Sequence, residues 1–142
     1  MTWNFYHIAY ECFVASLHFK KEGNMKSLVI GASEKTERYS NKAIHALRKH
    51  QHEVVAIGSR KGQVLDVTFD REKKPFEAID TVTMYIGPAH QEEYYDYVLS
   101  LKPRRIIFNP GTENDTFVQL AEQQGIRCQE ACTLVLLSTG QY

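Results

Sequence analysis

The sequence holds three cysteines in 142 residues, Cys12, Cys128 and Cys132. A set this sparse and odd in number excludes a disulfide scaffold and suits a reducing compartment, so a cytoplasmic location is expected. Cys128 and Cys132 lack the partner pair that a zinc site needs, and no metal is expected. No apolar run approaches the ~20 residues that span a bilayer, so no membrane association is expected. Formal net charge is +0, from 17 basic and 17 acidic residues. A neutral chain lacks the basic field of a general nucleic-acid binder. A local basic pocket for an anionic small molecule remains compatible with it. The full dinucleotide fingerprint, the Walker loop and the nucleophile elbow are all missing.

Catalytic constellations are equally scarce. The histidines are His7, His18, His45, His50, His52 and His90, and none joins a metal motif. His50 and His52 read as solvent-exposed at a helix–strand junction, and His90 as a capping or surface residue. Cys128 reads as a buried strand residue and Cys132 as a small buried residue beyond the last strand. Glu113 and Glu130, near strand ends, are the acid–base candidates. No catalytic residue is assigned.

What is present is an ordinary globular composition, 43% hydrophobic and 24% charged. One domain of this length can bury a core without staples. Residues 1–24 stand apart. They carry Trp3, Phe5, Tyr6, Tyr10, Phe13 and Phe19 with no clean period, and they lack the basic start of a signal peptide. Met25 opens directly into an apolar run. The expectation is therefore that Met25 is the natural start, with a non-native or upstream extension over 1–24 rather than an N-terminal helix packed on the domain, and a single domain over 25–142.

From Met25 onward, apolar runs alternate with helical spacing. Strands are predicted at Leu28–Ile30, Val54–Ile57, Thr81–Ile86, Ile106–Phe108 and Ile126–Cys128. A helix opening at Ser40 buries Ala43, Ile44 and Leu47. Another follows Pro88, buries Tyr94, Tyr95, Val98, Leu99 and Leu101, and stops at Pro103. Thr112 with Asp115 resembles a capping box for a third, which Gly125 ends. Residues 62–76 suggest a short strand or flap, and Leu134–Leu137 is an apolar run without an assignment. This alternation means right-handed βαβ units. The fold class is α/β, an open and mainly parallel five-stranded sheet with helices on both faces.

Ligands of such sheets bind at the carboxyl ends of the strands, where strand order reverses. After the first predicted strand comes Gly31-Ala32-Ser33-Glu34-Lys35. Gly31 permits a tight turn, and small residues at 32 and 33 let a phosphate approach the backbone. Lys35, Arg38 and Ser40 lie at the start of the first helix, whose free N–H groups suit an anion. After the second strand comes Gly58-Ser59-Arg60-Lys61-Gly62. An NAD site carries an acid in this region; here the charges are basic, and the glycines let the chain approach a ligand. A ribose bearing its own phosphate fits, which means coenzyme A or NADP. Pro88, after the third strand, and Asn109 and Gly111, after the fourth, are placed to line the same cleft.

Taken in order, Val29-Ile30-Gly31-Ala32-Ser33, Arg38-Tyr39-Ser40, the glycine-basic turn 58–62, Asn109-Pro110-Gly111 with Glu113, and Glu130-Ala131-Cys132-Thr133 resemble the stand-alone CoA-binding domain proteins. That domain is similar to the N-terminal domain of the succinyl-CoA synthetase alpha subunit. The resemblance covers about residues 25–142. It implies a Rossmann-like fold with CoA or an acyl-CoA across the carboxyl edge of the sheet. Gly31, Ala32, Ser33, Arg38 and Ser40 would contact phosphates, and the Ser59–Lys61 turn would face the adenosine 3′-phosphate. The chain departs from many members at Ile57-Gly58, where they carry Asn-Pro, and at Asn109-Pro110-Gly111, where a glutamine-containing turn is common. The synthetase's phosphohistidine chemistry is not implied. The function expected is non-catalytic CoA binding. A small NADP-dependent oxidoreductase and a ligand-free interaction domain of the same fold are the other readings, and a homo-oligomer is compatible with the sequence.

Overall fold

The computed structural model describes residues 25–142, so the expected extension over 1–24 lies outside the described residues. Strands β1 (Ser27–Ala32), β2 (Val54–Gly58), β5 (Thr81–Met84), β6 (Arg105–Phe108) and β7 (Arg127–Glu130) pair in parallel. A hairpin of β3 (Gly62–Val64) and β4 (Val67–Asp70) joins them through parallel pairing of β4 with β2. The sheet is therefore seven-stranded rather than five-stranded, in the order β3-β4-β2-β1-β5-β6-β7. The mainly parallel α/β architecture is as expected, and the extra strands come from the segment read as a short strand or flap.

The helices are α1 (Tyr39–Lys49), α2 (Tyr95–Leu101), α3 (Asp115–Gln123) and α4 (Thr133–Ser138), with single 3-10 turns at Pro88–His90 and Glu92–Tyr94. Side chains alternate along β1 and feed two cores. Leu28 and Ile30 pack with Val98, Leu99, Phe117 and Ala121 of α2 and α3. Val29 packs with Ile44, Leu47 and Leu137 of α1 and α4. Both faces are thus covered, which is why these strands read as unbroken apolar runs.

Several boundaries differ from the sequence reading. α1 opens one residue earlier, with Arg38 as N-cap, and Ser40 is buried inside the first turn. Asn114, not Thr112, caps α3: its side-chain oxygen accepts from the Phe117 N–H at 3.1 Å. The Thr112 hydroxyl instead donates to the Asn109 carbonyl at 2.7 Å. The unassigned run at Leu134–Leu137 is α4. Cys128 and Cys132 are half-buried rather than buried.

His52 is a further correction. It is buried at 8% exposure, with its ring 5.1 Å from that of Tyr142. Its Nδ1 accepts from the Met25 N–H at 3.3 Å, a bond that only the unprotonated nitrogen can accept. Burial, with His50 and Arg105 nearby, lowers its pKa, and Asp80 partly offsets this. In the unfolded chain the group titrates near 6.5. Below that pH the unfolded state binds more protons than the folded one, so stability falls with acidification. We expect urea midpoints to drop between about pH 7.5 and pH 5.5. His52→Gln should remove most of that slope.

Candidate functional site

β1 lies between β2 and β5, so chain order reverses there. A cleft of about 1430 Å³ opens at the carboxyl ends on this switch point. Its floor begins at Gly31, where the β1–β2 register breaks between Ile30 and Ala32. Gly31 has φ +100, and an added Cβ would lie 3.1 Å from the Tyr85 carbonyl carbon. The bulge therefore needs glycine. The Ser33 hydroxyl accepts from the Lys35 N–H at 3.1 Å, which leaves its proton to donate outward. Asn41 Nδ2 donates to the Ser33 carbonyl at 3.0 Å and ties this loop to α1.

α1 starts with no side-chain cap and no acid in its first turn. Tyr39 and Ser40 line the cleft, and among the described residues their N–H groups, at the positive end of the helix, have no hydrogen-bond partner. Lys35, Arg38, Arg60 and Lys61 line the cleft around this point. Among the described residues, none of these four cations is held in an ion pair. Glu34, Glu37 and Glu93 also reach the lining. Glu34 is engaged by the Gln63 N–H at 3.3 Å.

Gly58 ends β2, and Ser59, Arg60 and Lys61 follow it on the cleft wall. The glycines here serve packing. A Cβ on Gly58 would lie 2.7 Å from the Ala32 carbonyl oxygen and 2.8 Å from Phe69, and one on Gly62 would lie 2.6 Å from Phe69. They make room for the Phe69 ring, not for a ligand's approach to the backbone.

The far wall is built by buried polar side chains. Gln91, fully buried, donates to the Ile86 carbonyl at 2.9 Å and the Thr112 carbonyl at 2.7 Å. Asn114 Nδ2 donates to the Gln91 side-chain oxygen at 3.0 Å. The loops after β5 and β6 are thereby locked together. Asn109 lines the cleft, but its amide is spent within the fold. It donates to Thr83 Oγ1 at 2.7 Å and to the Met84 carbonyl at 2.9 Å, and accepts from the Thr133 N–H at 2.8 Å. The Tyr85 hydroxyl is buried and has no hydrogen-bond partner among the described residues. Burial pushes its pKa up to about 12, against the opposing influence of the nearby Thr133 and Thr83 hydroxyls.

Of the residues singled out from sequence, Gly31, Ala32, Ser33, Lys35, Arg38, Ser40, Gly58, Ser59, Arg60, Lys61 and Asn109 meet on the cleft. Pro88 and Gly111 do not line it. Pro88 opens a 3-10 turn, and the Gly111 N–H donates to the Glu113 carboxylate at 2.9 Å. That bond holds the Glu113 carboxyl below its usual range. Neither Glu113 nor Glu130 reaches the cleft lining, whereas His90 and Cys132 do. The sequence reading missed Asn41, Phe69, Tyr85 and Gln91. Only the period of α1, which places Asn41 one turn beyond Arg38 on the loop side, carried any signal for them.

Among the described residues, no group of His, Cys, Asp and Glu could hold a metal ion. No helix among them is long and apolar enough to cross a membrane.

Comparison with known proteins adds a family. A crystal structure of an uncharacterized protein is 44% identical, with TM-score 0.82, over 84% of this chain and 98% of its own. The structure of cell-free ID.343 from Thermus thermophilus is 17% identical, with TM-score 0.73, over 90% and 98%. PH1109 protein redesigned for binding is 19% identical, with TM-score 0.75, over 84% and 86%. The last two show likeness of fold alone. No curated protein matches. The model of a CoA binding domain matches residues 26–138, which takes in every strand of the sheet and the whole cleft, and the chain belongs to that family.

Proposed function

We propose that this chain is a non-catalytic module that holds coenzyme A, free or acylated, across the carboxyl edge of its sheet. The uncapped start of α1 carries the reading, because Lys35 and Arg38 lie beside it in sequence and Arg60 and Lys61 line the same cleft, none of the four in an ion pair among the described residues. A helix N-terminus flanked by cations suits a pyrophosphate. In this reading the Gly31-Ala32-Ser33 loop, Lys35, Arg38 and the Ser40 N–H hold the pyrophosphate. Arg60 and Lys61 take the ribose 3′-phosphate, and Gly58 and Ser59 shape that turn. The pantetheine arm then runs along the ends of β5 and β6, past Tyr85 and the Asn109 backbone, toward Cys132 and Leu134. Family membership supports a CoA-type ligand, and the arrangement of the cleft supports this direction for it.

Isothermal titration of the full chain with CoA, dephospho-CoA and NADP tests the proposal. CoA should bind with the highest affinity, dephospho-CoA measurably more weakly, and NADP should give no heat. Heat from NADP with CoA silent would overturn the proposal in favour of a redox role. Silence from all three would leave a fold without its ligand.

A further inference from the structure

We propose that Tyr39 is the stacking platform for the adenine base of the ligand. This rests on the CoA reading of the cleft and adds a residue to it. The base is attached to the ribose assigned to the Arg60–Lys61 turn, so it must lie on the α1 side of the cleft.

The cleft offers four aromatic rings, Tyr39, Phe69, Tyr85 and Tyr94. Phe69 is 7% exposed. It fills the space beside Gly58 and Gly62 so closely that neither tolerates a Cβ. The slot beyond β2 is therefore plugged by the protein itself. Tyr85 lies on the β5 side with its hydroxyl buried. Tyr94 is half-buried, and the Lys73 ammonium, held by the Glu93 carbonyl at 2.8 Å, lies over it 4.6 Å from the ring centre.

Tyr39 alone among these rings stands open to solvent, at 65% exposure. It sits in the first turn of α1, directly after Arg38. Lys42 lies over its ring at 5.0 Å from the centroid. One face is thus backed by a cation, and among the described residues most of the ring stays open to solvent. A large ring left in water at a cleft rim forgoes burial that a planar base would restore. Base–aromatic stacking is indifferent to hydrogen-bonding edges and needs only an accessible face.

The test uses CoA and its two fragments, 4′-phosphopantetheine and adenosine 3′,5′-bisphosphate, on Tyr39→Ala, Tyr39→Phe and Tyr39→Trp. Tyr39→Ala should lower affinity for CoA and for the bisphosphate by about tenfold and leave 4′-phosphopantetheine unchanged. The Phe and Trp variants should restore it. Exposure of the ring predicts unchanged thermal unfolding for all three. Unchanged CoA affinity in Tyr39→Ala, or equal loss for both fragments, would overturn the assignment while leaving the CoA reading intact. A wild-type chain silent to CoA and to both fragments would instead overturn the CoA reading, and the assignment with it.

Discussion

Replacing Arg60 and Lys61 together with alanine should lower affinity for CoA about tenfold and change affinity for dephospho-CoA by no more than about twofold. The two ligands differ only by the 3′-phosphate, so the ratio isolates the contact. Both side chains are exposed, and exposure sets the size of the effect. A guanidinium can donate two parallel bonds to a phosphate, but in water-accessible surroundings part of that gain is screened. The ratio should therefore shrink as salt rises, over the range in which the Debye length falls from ~10 Å at 0.1 M toward ~3 Å at 1 M. Neither cation forms an ion pair among the described residues. The double variant should accordingly unfold at the wild-type temperature, and any loss reads as binding. Equal loss for both ligands would remove this turn from the ribose phosphate and move it to the pyrophosphate.

The sequence revealed the central sheet because a parallel strand covered on both faces must be apolar throughout. Leu28, Val29 and Ile30 are all fully buried, as are Ile106, Ile107 and Phe108. The β3–β4 hairpin was legible only as a short strand or flap, for the opposite reason. Its strands are three and four residues long, and Gln63 and Thr68 point to solvent. α4 has six residues, too few to display a helical period. His52 looked like a surface residue because nothing local announces Tyr142, ninety positions away along the chain, which packs against it.

The candidate site divides along the same line. Its loops were visible because small residues and charges collected at strand ends, where topology alone requires a cleft. The polar side chains that hold those loops were invisible. Gln91 reaches Thr112, and Asn109 reaches Thr83, Met84 and Thr133, each more than 20 positions away. Such bonds satisfy backbone and hydroxyl groups exposed by the fold, and no short-range pattern records them.

Asn109 is where the distinction between lining a cleft and contacting a ligand becomes measurable. At 3% exposure its amide serves Thr83, Met84 and Thr133. Asn109→Ala would leave the Thr133 N–H and the Met84 carbonyl without partners beneath the cleft. Each orphaned buried group costs about 1–3 kcal/mol. We expect a total loss of about 3 kcal/mol, which for a chain of this size lowers the unfolding midpoint by about 10 °C. Asn109→Asp makes the sharper test. Its carboxylate can still accept from the Thr133 N–H, but it cannot donate to the Met84 carbonyl and it places a charge in a buried site. The protonated acid regains a donor, so the folded state favours the proton and the side chain's folded pKa lies above its unfolded value near 3.9. Between those two values the folded state binds more protons, so this variant should regain stability relative to wild type as pH falls. Paired urea unfolding of both proteins across that range would show the gap narrowing toward acid. A constant gap would mean that the introduced acid titrates alike in both states and is not held in the buried network; loss of CoA affinity without any loss of stability in Asn109→Ala would instead make the amide a ligand contact and free it from the role of holding the loops after β5 and β6 to the start of α4.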